Sequence, residues 1–162
     1  HLLHRAQQRA DEVFATLHGD DNATLRQFAV LAAISEQNGL TQTDLVRITG
    51  VDRSTLTDMM KRLEHKGLVE RERTEKDKRA KTVRLTKKGR ARLEEAAPHA
   101  MAADEALLDA LPRNKRRAFL GTLEGLIAAI DAEAIAAETR ATKVKGKKKP
   151  KAEKPKDGGK KR

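Results

Sequence analysis

The sequence contains no cysteine, tryptophan or tyrosine. Without cysteine there is no disulfide scaffold, no thiolate-ligated metal and no thiol redox sensor. Its only aromatic residues are Phe14, Phe28 and Phe119. Proteins that hold single-stranded nucleic acid stack bases on aromatic side chains, so this scarcity argues against that class. No run approaches the ~18 apolar residues of a membrane span, and His1-Leu2-Leu3-His4 is too short for the apolar core of a signal peptide. No membrane is therefore expected, and the chain reads as cytoplasmic. Nucleophile–base constellations, phosphate loops and metal-ligand spacings are also missing from the sequence. The five histidines are scattered, and His18 and His99 carry no motif. The expectation is a non-enzyme with no cofactor and no metal.

Positive charge is what the chain has in excess. The net charge is +11 over 162 residues, and it is unevenly spread. Residues 1–60 hold 5 Lys/Arg against 8 Asp/Glu, a net −3, whereas residues 61–92 hold 14 against 5, a net +9. Residues 93–142 return to −4, and residues 143–162 carry +9. Two basic blocks in a mildly acidic body fit a polyanionic partner, because fixed cations release counterions from phosphates.

Apolar periodicity divides the chain into helices. Residues 2–17 place Leu2, Leu3, Ala6, Ala10, Val13, Phe14 and Leu17 on one side. Thr24-Leu25-Arg26-Gln27 reads as a capping box opening a helix with Phe28, Leu31, Ala32 and Ile34, which ends near Asn38-Gly39. Thr41-Gln42-Thr43-Asp44 opens a short helix closed by Gly50, with Leu40 and Leu45 as its hydrophobic staple. Asp52 caps the next, in which Leu56, Met59, Met60 and Leu63 face inward until Gly67. Two short helices about a tight Gly-containing turn make a helix-turn-helix. Residues 68–74 and 81–86 alternate as strands around the charged loop 75–80, a β-hairpin placed as a wing. Thr86 caps a long helix to about Leu111 with Leu93, Ala97, Met101, Leu107 and Leu108 as apolar positions, and Pro98 predicts a kink or short break in it. Pro112 opens a last helix with a stripe of Phe119, Leu120, Leu123, Leu126, Ile127 and Ile130. The Lys-rich remainder has almost no apolar surface and reads as disordered. The fold class expected is mainly α with a small β-hairpin wing: a winged helix-turn-helix over residues 23–86, flanked by dimerisation helices in 1–22 and 87–139, with a tail over 140–162.

Four segments carry a family resemblance. They are Val51-Asp52-Arg53-Ser54-Thr55-Leu56, Arg62-Leu63-Glu64-His65-Lys66-Gly67-Leu68-Val69, Asp77-Lys78-Arg79-Ala80-Lys81 and Leu85-Thr86-Lys87-Lys88-Gly89. Together they resemble the MarR family of transcriptional regulators, over residues 1 to about 138. The resemblance implies a bacterial, nucleoid-associated homodimeric repressor on a pseudo-palindromic double-stranded DNA operator. It also implies relief of repression by a small aromatic or anionic effector bound between the dimerisation and DNA-binding parts.

In a winged helix-turn-helix, the helix from Asp52 is the one that enters the major groove. Its polar residues Arg53, Ser54, Thr55, Thr57, Asp58, Lys61 and Arg62 are the candidates for DNA contact, Arg53 for bidentate pairing with guanine. The alternative for each is a solvated helix face. For Arg62 the resemblance offers a second alternative, a brace for the wing. Thr41, Gln42 and Thr43 open the preceding helix and could hold a phosphate, capping being the plainer role for Thr41. In the wing, Asp77 orients Arg79 towards the minor groove, while Lys76, Lys78 and Lys81 meet phosphates. Leu2, Leu3, Phe119, Leu123, Ile127 and Ile130 are the candidate dimer interface. The competing function is a structural, nucleoid-type DNA-binding protein whose basic tail gives mainly non-specific affinity.

Overall fold

The computed structural model describes residues 1–19, 23–37, 39–73 and 81–146, with the backbone alone at Arg73, Lys81, Glu138, Thr139 and 141–146. The described elements are α1 (Leu2–His18), α2 (Leu25–Glu36), β1 (Leu40–Thr41), α3 (Gln42–Thr49), α4 (Arg53–His65), β2 (Val69–Arg73), β3 (Lys81–Leu85), α5 (Lys87–Asp109) and α6 (Arg113–Gly146). They fall into two compact units, His1–Arg117 and Ala118–Arg162.

Local side-chain caps fix most helix starts. Thr24 accepts from the Gln27 amide, Asp52 from Thr55, and Thr86 from Gly89. At α3 the capping box is complete. The Thr41 amide and hydroxyl donate to the Asp44 carboxylate at 2.8 and 2.6 Å, and the Asp44 amide donates back to Thr41 Oγ1. Those two donors hold the Asp44 pKa below its ordinary value. Replacing Asp44 with alanine should cost about 1 kcal/mol of stability at neutral pH. Because the folded pKa is lowered, that contribution is complete above the unfolded value of about 3.9 and is lost as pH falls through the folded one. Urea unfolding of both proteins at pH 7 and about pH 3 checks this: the difference between them should shrink on acidification, and a constant difference would contradict it.

The first unit has two apolar centres. One joins α2, α3, α4 and the sheet through Val30, Leu31, Ile34, Leu45, Leu56, Met60, Leu63 and Val83. Four of its α4 members, Leu56, Met59, Met60 and Leu63, follow the expected inward stripe. The second lies between α1 and α5, where Ala10 and Phe14 meet Ala96, Ala100 and Ala103. Here the structure corrects the reading of α5. The buried side is the small-residue stripe Ala96, Ala100 and Ala103, and Met101 is 65% exposed. Alanine at spacings of three and four lets α1 approach closely, which a bulky side chain would prevent. In α2, Val30 and Ala33 are buried, whereas Ala32 and Phe28 are only partly so. Helix α5 also runs unbroken through Pro98.

The sheet has three strands rather than a hairpin's two, in the order β1-β3-β2 and all antiparallel. Leu40 pairs with Val83, so the residue expected as a staple also forms a short edge strand. The strand register places Val69 opposite Leu85 and Arg73 opposite Lys81.

The second unit is the greater part of α6. Its expected end near residue 139 is wrong, since the helix continues to Gly146. Residues 140–145 contain Arg, Ala and Lys, which favour helix, and no breaker comes before Gly146 and Pro150. The remainder of the expected tail lies outside the described residues. Phe119, Leu120, Leu126, Ile127 and Ile130 are exposed on this helix. No helix among the described residues is long and apolar enough to cross a membrane.

Candidate nucleic-acid interface

Helix α3 ends at Gly50, whose φ of 66° reverses the chain so that α4 can start at Asp52. A left-handed residue there is cheap only for glycine. The Asp52 carboxylate accepts from the Ser54 hydroxyl at 2.6 Å and the Thr55 amide at 3.0 Å, which keeps its pKa well below the ordinary range. Ser54 is thus occupied in fixing the first turn of α4.

The polar residues of α4 separate into two stripes. Arg53, Thr57 and Lys61 form one, with Ser54 and Asp58 beside it. This stripe is tied to α3: Gln42 Nε2 donates to Thr57 Oγ1 at 2.5 Å, and the Arg53 guanidinium donates to Thr43 Oγ1 at 3.3 Å. Lys61 pairs with Asp58 at 3.4 Å, an exposed contact of little energetic weight. Gln42, Thr43, Arg53, Thr57 and Lys61 therefore make one polar surface across both helices. Thr41 is committed to its capping box.

Thr55 and Arg62 belong to the second stripe, with Met59 and Lys66. They line a cavity of about 770 Å³ shared with Asp11 of α1 and Arg26 of α2. The seven-residue separation puts them on the same face, two turns apart, on the flank of α4 that lines this cavity. Among the described residues, Glu64 of α4 bonds Arg71 of β2 and ties the helix to the hairpin. Across the hairpin, Arg84 forks to Glu70 and Glu72, both at 2.7 Å. These contacts hold the root of the wing. The wing residues Lys76, Asp77, Lys78 and Arg79 lie outside the described residues, as does the side chain of Lys81.

Two features have no counterpart in the sequence pattern. His18 at the end of α1 and His99 in α5 meet with their Nδ1 atoms 2.8 Å apart, and His18 stacks on Phe14. Phe14 in turn lines a second cavity, of about 360 Å³, with Phe28, Leu31, Lys66, Lys88 and Arg92. Separations of tens of residues leave no local signal for either.

A helix-turn-helix with a polar outer stripe, backed by a three-stranded sheet and its hairpin, defines a winged-helix DNA-binding protein. The model of the MarR family matches residues 23–81. The transcriptional repressor NicR of Pseudomonas putida is 32% identical over 127 residues, 78% of this chain and 80% of the relative. A structure of BpsR from Bordetella bronchiseptica, described for regulation of its DNA binding by 6-hydroxynicotinic acid, superposes with a TM-score of 0.71 at 32% identity, covering 78% and 90% of the two chains. A mutant of MarR from Escherichia coli complexed with operator DNA gives 0.66 at 30% identity, covering 80% and 90%. The chain belongs to the MarR family and is a sequence-specific, DNA-binding transcriptional regulator.

Proposed function

We propose that the chain is a homodimeric repressor that reads a pseudo-palindromic operator with α4 and the wing and is released by a small anionic aromatic acid. The observation that carries the DNA-reading part is the surface of Gln42, Thr43, Arg53, Thr57 and Lys61, which two buried helix faces and their mutual hydrogen bonds hold in one orientation. In this reading Arg53 reads a base edge, Lys61 and the α3 start meet phosphates, and Thr55 and Arg62 do not touch DNA. Arg79, oriented by Asp77, enters the minor groove, with Lys76, Lys78 and Lys81 on the backbone. Leu2 and Leu3, 70% and 68% exposed, and the uncovered Phe119, Ile127 and Ile130 support an interface between two copies, with Leu123 beside them. The two half-sites then lie about one helical turn apart, ~34 Å. A coating protein driven by its tail is disfavoured, because the relatives are named repressors and regulators.

Three cations, Lys66, Lys88 and Arg92, line the smaller cavity beside Phe14 and Phe28. That chemistry supports an aromatic acid as effector, and 6-hydroxynicotinic acid on BpsR is a precedent in a relative.

The test is an operator titration. Arg53→Ala and Arg79→Ala should each weaken operator binding by about 1–3 kcal/mol, with less discrimination against random DNA, and should leave the melting temperature alone. Arg62→Ala should leave that discrimination intact. Unchanged operator affinity in Arg53→Ala would overturn the placement of α4.

A further inference from the structure

We propose that Lys88 is the coupling residue through which the effector cavity acts on the DNA-reading helix. This rests on the effector reading above and adds a mechanism to it. Lys66 caps the C-terminus of α4, where the last carbonyls have no partner within the helix. The Lys88 ammonium, from the first turn of α5, donates to the Lys66 carbonyl at 2.9 Å. A cation there also meets the negative end of the helix dipole. Thr86, two residues earlier, donates its hydroxyl to the Gly67 carbonyl at 2.7 Å and its amide to Leu68 at 3.1 Å. The turn between α4 and β2 is thus gripped from the start of α5, and this turn sets both the end of the recognition helix and the root of the wing.

Lys88 also lines the cavity. Of the three cations there, Arg92 already pairs with Glu95 at 2.9 Å, whereas Lys88 is spent on a neutral carbonyl. A carboxylate entering the cavity offers Lys88 a charge-assisted bond, stronger than the one it holds. Lys88 then leaves the Lys66 carbonyl, that carbonyl loses its donor, and of the two grips from the start of α5 on the turn only Thr86 remains. The acid and the Lys66 carbonyl compete for one ammonium, and since the operator favours the gripped turn, acid and operator each weaken the binding of the other by the same factor.

The experiment uses the full chain as a dimer, with Lys88→Met, which keeps the aliphatic stem, and Lys88→Arg, which keeps a donor. Operator affinity is measured without ligand and across titrations of benzoate and 6-hydroxynicotinate to saturation. Without ligand, Lys88→Met should bind the operator about threefold more weakly than wild type, and Lys88→Arg nearly as well. At saturation the acid should reduce wild-type affinity by tenfold or more, a typical allosteric factor, and reduce that of Lys88→Met by threefold or less. A residue that only held the ligand would raise the acid's midpoint and leave the saturated loss equal to wild type. That result, or an unchanged ligand-free affinity, overturns the coupling role while leaving the effector reading intact. A wild type whose operator binding ignores both acids would overturn the effector reading itself, and the coupling with it.

Discussion

Gly89→Ala should destabilise the protein by about 1–3 kcal/mol, lowering its melting temperature by about 2–12 °C. The sign is the informative part. Gly89 sits inside a helix, where alanine is ordinarily favoured over glycine by about 1 kcal/mol. A Cβ at this position, however, would lie 1.9 Å from the Leu68 carbonyl oxygen and 2.9 Å from its carbon. Both are backbone atoms that follow α4, so no rotamer change relieves the clash. The start of α5 must retreat, and three contacts go with it: the Gly89 amide on Thr86 Oγ1, the Thr86 amide on Leu68 and the Thr86 hydroxyl on Gly67. Overpacking costs about 1–3 kcal/mol and a lost cap about 1, against which the helix preference restores about 1. Thermal unfolding of both proteins decides it, and a variant as stable as the parent would show that α5 can move off Leu68 freely. The operator affinity should fall too, since the displaced turn carries the root of the wing.

Part of this contact is legible in the amino-acid order alone. Leu85-Thr86-Lys87-Lys88-Gly89 places a cap three residues before a glycine, and caps are contacts within one turn. The same locality makes Thr41–Asp44, Asp52–Thr55 and Gly50 readable, and with them the helix-turn-helix. What the residue pattern hides is long-range or depends on residue size. Bulk usually marks a core, which points to Leu93, Met101, Leu107 and Leu108 with Ala97 as the α5 stripe. Leu93 and Leu107 do pack against the two apolar centres, but Met101 is exposed and α1 packs so closely that Ala96, Ala100 and Ala103 are the buried positions. Polarity alone groups Thr55 and Arg62 with Arg53 and Lys61, although their seven-residue spacing puts them on another flank. Strand β1 is two residues long and exists only because β3 lies beside it. The helical course of residues 140–146 is masked by a composition that resembles the Lys-rich segment after it.

Deleting residues 147–162 should make operator binding markedly less sensitive to salt and weaken it by one to two orders of magnitude at low ionic strength. The segment carries nine Lys or Arg against two acids and, apart from Ala152 and two prolines, no apolar side chain. It offers charge without the apolar anchors or paired carboxamides that read base edges, so its contribution to DNA binding is neutralisation of phosphates. Each phosphate neutralised steepens the fall of log K with log salt by about 0.9. A dimer brings two such segments to a duplex already held by α4 and the wing, where their effective concentration is high. Two phosphates met per segment would change the slope by about 3–4. Operator and random DNA should lose affinity by similar factors, so their ratio survives, if, as proposed, Arg53 and Arg79 rather than the tail carry it. Salt titrations of full-length and truncated protein on both DNAs measure slope and ratio together. An unchanged slope would remove the segment from DNA binding altogether. A collapsed ratio would place specificity in the tail and overturn the assignment of sequence reading to the winged helix.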